Sequence, residues 1–433
     1  MNYLFVAALV LFAASAQADW LQFRGPGANG VSDLKNLPLK WSATENIAWR
    51  TELPGAGYSS PIVVGRKIFV TTGIKGEQIP GVAPRKHKIG GTADFVHPQT
   101  SDADRKYELR VICLDADTGK VIWERTSYNG PVYDGKHSFN TYASPTPITD
   151  GKNVYVWFES QGMYAYDFDG KQKWKASFGG INALNLGPGS SPLMFEDLII
   201  VQSDQDDGAD SFIAAVRAKD GSVAWKTPRK TGASWSTPVL FDSSGKKEVI
   251  TMATEAVIAY DPRTGKELWR GPGVEAFAAN TPISGKGLII AAGYHPKKKV
   301  LALRPDVPED QRVAWSYDKG TAYIPSSIIY GDYLYLVADN GSLSCLDVAT
   351  GAIKYEGKRM PKPTKYTASP VAFDGKILLS SNDGDTFVVK AGPDFEVLDT
   401  NSLDEPIHAS LALDGDSIFL RTDKALYRIR AKK

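Results

Sequence analysis

Five times along the chain, a tight turn carrying an acidic residue and a Gly is followed, four residues after the Gly, by an aromatic residue. Asp115-Ala-Asp-Thr-Gly119 precedes Trp123, Asp167-Phe-Asp-Gly170 precedes Trp174, and Lys219-Asp-Gly221 precedes Trp225. Asp261-Pro-Arg-Thr-Gly265 precedes Trp269, and Asp347-Val-Ala-Thr-Gly351 precedes Tyr355. Gly supplies the positive φ such a turn needs, and Asp or Thr can bond its backbone. The aromatic residue then opens the next strand. Trp315 marks a further copy whose turn is longer and holds Pro305 and Pro308.

A second landmark opens an apolar strand in each unit. It is Ser60-Pro61, Ser144-Pro145, Ser191-Pro192, Thr237-Pro238, Thr281-Pro282, Ser326-Ser327, Ser369-Pro370 and Ser410-Leu411. After a longer first gap these recur every 41–47 residues. Each unit reads as four strands, A to D, and that period with four strands marks a propeller blade. The 433 residues would otherwise suggest two or three domains. The expected fold is all-β: one eight-bladed propeller of four-stranded antiparallel blades over 46–433, after an N-terminal extension at 19–45. Residues 73–108 form an insertion between strands B and C of blade 1. The eighth unit stops after strand C, and Asn46–Thr51 resembles a strand D. The N-terminal strand is therefore expected to close the last blade, with Trp49 buried against 410–431. Ring closure removes sheet edges that would otherwise invite aggregation.

The pattern Leu-Asp-x-x-Thr-Gly-Lys-x-x-Trp resembles the pyrroloquinoline quinone (PQQ) propeller repeat, over most of residues 46–431. That family spans quinoprotein alcohol dehydrogenases, the propeller lipoprotein of outer-membrane assembly, and secreted bacterial propellers of unassigned role. Trp20-Leu-Gln-Phe-Arg-Gly-Pro26, Asn140–Pro145 and Trp235–Pro238 look most like the last group. The dehydrogenases carry a vicinal Cys pair and the haem-bearing forms a Cys-x-x-Cys-His, and neither occurs here. The assembly lipoprotein carries an N-terminal lipid-bearing Cys where this chain has Asp19.

The formal net charge is +1, which provides no general field for nucleic acid or an anionic membrane. Leu4–Ala14 is apolar and Ala16-Gln17-Ala18 offers a cleavage site, so residues 1–18 read as a signal peptide. The run is too short for a comfortable membrane span. The expectation is a periplasmic or secreted monomer without membrane span or lipid anchor. Cys113 and Cys345 occupy the same repeat position in blades about 20–30 Å apart, beyond the reach of a disulfide. Both read as free, buried thiols.

The D–A and B–C loops of a propeller emerge on one face. Three of them are unusually polar or aromatic: 133–142, 203–211 and 229–236. Their candidate ligand-binding residues are His137, Asn140 and Tyr142; Asp204 and Gln205; and Arg229 and Trp235. An aromatic floor with a few polar groups is how small-ligand pockets are usually built. Arg229 could clamp a carboxylate or phosphate on two points, or could simply pair with Asp204 and brace two loops. Three residues before each strand-A proline stand Tyr58, Tyr142, Gly189, Trp235, Ala279, Ile324, Thr367 and His408. They either pack between blades or form a mouth that stacks a planar ligand or sugar. The acidic loop 203–211 lacks the spacing of a calcium loop. The five His show no zinc-ligand spacing and read as exposed loop residues.

No nucleophile elbow or phosphate loop is present. The first reading is a non-catalytic binding or scaffold propeller for an unknown protein or small molecule, with no cofactor. The alternative is a PQQ-dependent quinoprotein oxidoreductase using PQQ with Ca²⁺. The third is a saccharide-binding protein.

Overall fold

The computed structural model describes residues 19–243 and 245–432. The signal-peptide reading of 1–18 lies outside the described residues. Eight antiparallel sheets surround an axis. Blade 1 is Ile62–Val64, Lys67–Gln78, Arg105–Asp115 and Val121–Pro131, in the order A to D. Blades 2 to 7 repeat this order, and blade 7 ends in Val397–Ser402. The only helical pieces among the described residues are three 3₁₀ turns. No helix among them is long and apolar enough to cross a membrane.

Blade 8 has Ala412–Asp414, Ser417–Arg421 and Ala425–Ile429, and takes its outer strand from Ile47–Glu52. Register runs Arg50↔Tyr427 and Glu52↔Ala425. Trp49 is half-buried rather than buried, since an outermost strand keeps one side in water. Its ring meets Phe419 of blade 8 at 6.1 Å, while its Nε1 donates to the carbonyl of Ala116 in blade 1 at 2.9 Å.

That second contact explains the repeat. Each Asp–Gly turn is docked by the strand-D tryptophan of the preceding blade. Trp123 donates to Phe168 O, Trp174 to Ala218 O, Trp225 to Pro262 O and Trp315 to Val348 O, all at 2.9–3.1 Å. The ring lies on the turn glycine: a Cβ at Gly119 would come 2.6 Å from Trp49, and one at Gly351 2.7 Å from Trp315. Glycine is thus required both for φ and for space. Trp269 departs from this because blade 5 has the longer Pro305–Pro308 turn. Its Nε1 bonds Glu248 and Arg312 covers its ring at 4.4 Å.

The Ser/Thr landmark stitches the innermost strands. Ser60 N donates to Thr146 Oγ1, Thr146 N to Ser191 Oγ, and Ser191 N to Thr237 Oγ1. Thr281 N donates to Ser326 Oγ, Ser326 N to Ser369 Oγ, and Ser369 N to Ser410 Oγ. The core is a series of apolar layers between neighbouring blades, such as Phe69, Trp123, Tyr164 and Tyr166 between blades 1 and 2. Cys113 and Cys345 sit at equivalent registers, Phe69↔Cys113↔Trp123 and Tyr335↔Cys345↔Tyr355. Both are free and buried, and burial pushes each thiol up to about 12.

Residues of the N-terminal extension fill the centre of the ring on the A–B-turn side. Asp19 accepts from Gly65 N, Trp20 bridges Val63, and Leu21 O accepts from Thr149 N of blade 2. The chain then crosses the axis. Arg24 Nη2 donates to Ser327 O of blade 6, and Val31–Ser32 pairs in parallel with Ala372–Phe373 of blade 7. Trp20 and Arg24 are 1% and 0% exposed. Gly25, at φ 65°, lies beneath the Trp20 ring, where a Cβ would come within 2.4 Å.

Candidate functional site: the D–A and B–C loop face

With the A–B-turn side occupied by the N-terminal segment, the D–A and B–C face carries the open surface of the funnel. Strands B and C of blade 1 run on as a ladder to Gln78↔Arg105. The insertion is therefore 79–104, shorter than the expected 73–108. It is ordered as a hairpin, His87–Ile89 with Thr92–Phe95, followed by Thr100–Ser101 paired to Lys136–His137.

One buried histidine fastens this hairpin to blades 2 and 3. His87 Nδ1 lies 2.8 Å from Asp206 and Nε2 3.2 Å from Asp134. Asp134 Oδ1 also accepts from Gly135 N and Asn185 Nδ2. Burial alone would lower the His87 pKa, but the two carboxylates overcome it and raise it to about 9. A carboxylate on each nitrogen favours the doubly protonated ring. His87 at 1% exposure corrects the exposed-loop expectation: the partners are brought by chain segments 47 and 119 residues away. Nearby, Arg85 stacks on Tyr133 at 3.8 Å and donates to its carbonyl.

The candidate residues fall around this anchor in two groups. Asp204, Gln205, Arg229 and Tyr142 are turned inward. Arg229 grips Asp204 on two points, Nε–Oδ1 2.6 Å and Nη2–Oδ2 3.1 Å, and both side chains are fully buried. Arg229 Nη1 also reaches Thr251 and Tyr260, and Asp204 takes Ser234 and Gln202. Gln205 ties Asn182 N to Asp210 O. Tyr142 is buried and donates to Asp134 O at 2.8 Å. His137, Asn140 and Trp235 are half-buried. His137 pairs with Gln99 at 2.8 Å, Asn140 donates to Leu186 O and Pro188 O, and Trp235 donates to Gly187 O. One polar framework links loops of blades 1 to 4; Asp204 and Arg229 are fully buried within it, and of these two and Trp235 only Trp235 is partly exposed.

What the framework presents is aromatic. Phe95, His97, His137 and Phe139 follow one another at 5.6–6.1 Å between ring centres. Phe139 at the end of the row is 69% exposed and lies 5.8 Å from Lys365, in the linker to blade 7. The loop thus reaches over the funnel mouth. A second row runs Trp235, Phe277, His295, Tyr323. Sequence reasoning missed Phe139 and Phe277 because they lie outside the repeat motif, whereas Phe95 stands within the blade 1 insertion that the sequence marks out. The usable signal was that all five His fall in D–A or B–C loops.

A model of the family described as outer membrane protein assembly factor BamB matches residues 107–356, more than half of the chain. The chain belongs to the PQQ-like propeller family. No curated protein matches it in sequence. Among solved structures, BamB from Moraxella catarrhalis is similar at 12% identity and TM-score 0.54, over 84% of this chain and 100% of that one. The quinohemoprotein alcohol dehydrogenase from Comamonas testosteroni is similar at 13% identity and TM-score 0.65, over 96% and 81%. A computationally designed protein, Ika8, has a TM-score of 0.51 at 11% identity, over 81% and 98%. These likenesses concern the family fold, on which function is set by the site.

Proposed function

We propose that this chain is a non-catalytic binding or scaffold propeller, working outside the cytoplasm, that docks a partner protein on its D–A and B–C face over blades 1 to 4. One observation carries the reading: the large exposed ring of Phe139 ends an aromatic row fixed to the propeller by the buried His87 clamp. A rigid aromatic anchor needs little ordering on binding, and exposed aromatics in a polar surround are the usual energetic centres of interfaces. The family description, an assembly factor for outer-membrane proteins, is in keeping with a protein partner.

The oxidoreductase alternative has less support. PQQ held with Ca²⁺ asks for several oxygen donors converging on the cation. Among the described residues no group of three His, Cys, Asp or Glu is placed to hold a metal ion, and the two cysteines stand buried in blades 1 and 6. Both observations weigh against this alternative. The saccharide reading keeps the support of the aromatic rows alone.

The test is site-specific photo-crosslinking in the native cell. A photoreactive phenylalanine at position 139 should give one discrete protein adduct, and the same residue at Val223, on an exposed outer strand, should give none. Equal labelling at both positions, or none at 139, overturns the proposal.

A further inference from the structure

Two arginines lie buried beside the loop face, and only one has an anion. Arg229 spends the Nε–Nη2 edge of its guanidinium on Asp204. Arg421, at the end of strand B in blade 8, is 3% exposed. Its Nη1 donates to Ser59 O, Ser59 Oγ and Thr71 O of blade 1. Its Nε is buried without a partner, and its Nη2 makes no hydrogen bond among the described residues. The same edge that closes on a carboxylate in blade 4 is therefore left without an acceptor here. Gly57 lies alongside, where a Cβ would come 2.4 Å from Nη2.

The surroundings complete a site. Tyr58, next to Gly57, stacks on His408 at 4.4 Å, and His408 Nδ1 lies 3.1 Å from Thr367, which bonds Asn382. The Asp423 side chain is 39% exposed and, among the described residues, its ion-pair contact is with His408, at 3.7 Å. It feels the charge of Arg421 without pairing with it. A buried guanidinium with two parallel N–H groups is the geometry that grips a carboxylate on two points. A half-exposed carboxylate close by accepts a ligand's own donor.

We propose that Arg421 anchors a carboxylate-bearing small molecule in the funnel wall between blades 8 and 1, with Asp423 receiving a hydroxyl or ammonium of the same molecule. Burial without an anion draws Arg421 down to about 9, and a bound carboxylate would offset that cost of burying the charge. The end of the Phe139 row comes near this site at Lys365, two residues before Thr367, but the two proposals rest on different residues, and carboxylate binding can fail while crosslinking at position 139 succeeds.

The test is calorimetric titration of the full chain at pH 7 with D-glucuronate, with L-glutamate, and with neutral D-glucose. Saturable binding of one carboxylate and none of glucose is expected. Uptake of glucuronate assigns a sugar acid, and uptake of glutamate assigns an amino acid. Arg421→Lys keeps the charge but loses the two-point edge, and should weaken binding about ten- to a hundredfold. Gly57→Ala, whose Cβ would come 2.4 Å from Nη2 and 2.5 Å from Thr71 O and so displace the guanidinium edge, should weaken it as well, with the far-ultraviolet spectrum unchanged. Absence of binding of both carboxylates to the unmodified chain, or affinity in both variants undiminished from the unmodified chain, overturns the proposal.

Discussion

The indole nitrogen of Trp49 donates to the carbonyl of Ala116, 2.9 Å away and 67 residues further along the chain. The contact joins the borrowed strand of blade 8 to the Asp115–Gly119 turn of blade 1, so it reports directly on closure of the ring. Trp49→Phe should cost about 1 kcal/mol, the value of one hydrogen bond. Trp49→Ala should cost about 2–4 kcal/mol, toward the lower part of the buried-aromatic range because the ring is half-buried. Chemical denaturation of both variants checks the order.

The Arg229–Asp204 pair is fully buried, so removing one partner strands a charge. Arg229→Ala should destabilise by about 3–5 kcal/mol. Replacing both residues with apolar ones of similar size should recover much of that loss. A melting temperature that stays at the unmodified value in Arg229→Ala would show that the pair does not brace the loops.

The His87 clamp gives the loop face a pH dependence with a defined sign. Its folded pKa is raised to about 9, above the unfolded value of about 6.5. The stabilisation is therefore fully present below about pH 6.5 and is lost as pH rises through about 9. Hydrogen exchange in residues 79–104 should accelerate between pH 7 and pH 9.5, once corrected for intrinsic rates, while the blade strands stay protected. In His87→Ala that acceleration should be absent and the segment open at both pH values.

The N-terminal segment is part of the interior. Trp20 is 1% exposed against the inner strands, so Trp20→Ala should cost about 3–5 kcal/mol. A chain lacking residues 19–33 should melt at markedly lower temperature and expose the ends of strands Ile62–Val64 and Val371–Phe373 to exchange.

The fold was legible because each blade repeats the same local chemistry, and the missing eighth strand D pointed to the N-terminal one. Trp49 and the Gly119 turn show why: the motif records a contact between neighbouring blades as a fixed spacing within each. The site was less legible. His87, Asp134 and Asp206 come from three separate loops, and nothing periodic ties them together. The inward turn of Arg229 depends on Thr251 and Tyr260 of the next strands, which a loop-by-loop reading does not bring together. The path of Trp20–Ser32 through the ring had no repeat to reveal it.

The most direct test of the docking face is hydrogen exchange of the chain with and without the partner that crosslinking at position 139 identifies. The account predicts new protection in residues 92–101 and 136–142, with no change in the turns at 168–170, 196–197 and 218–221 on the opposite face. Protection confined to those turns, with 136–142 unaltered, would contradict it.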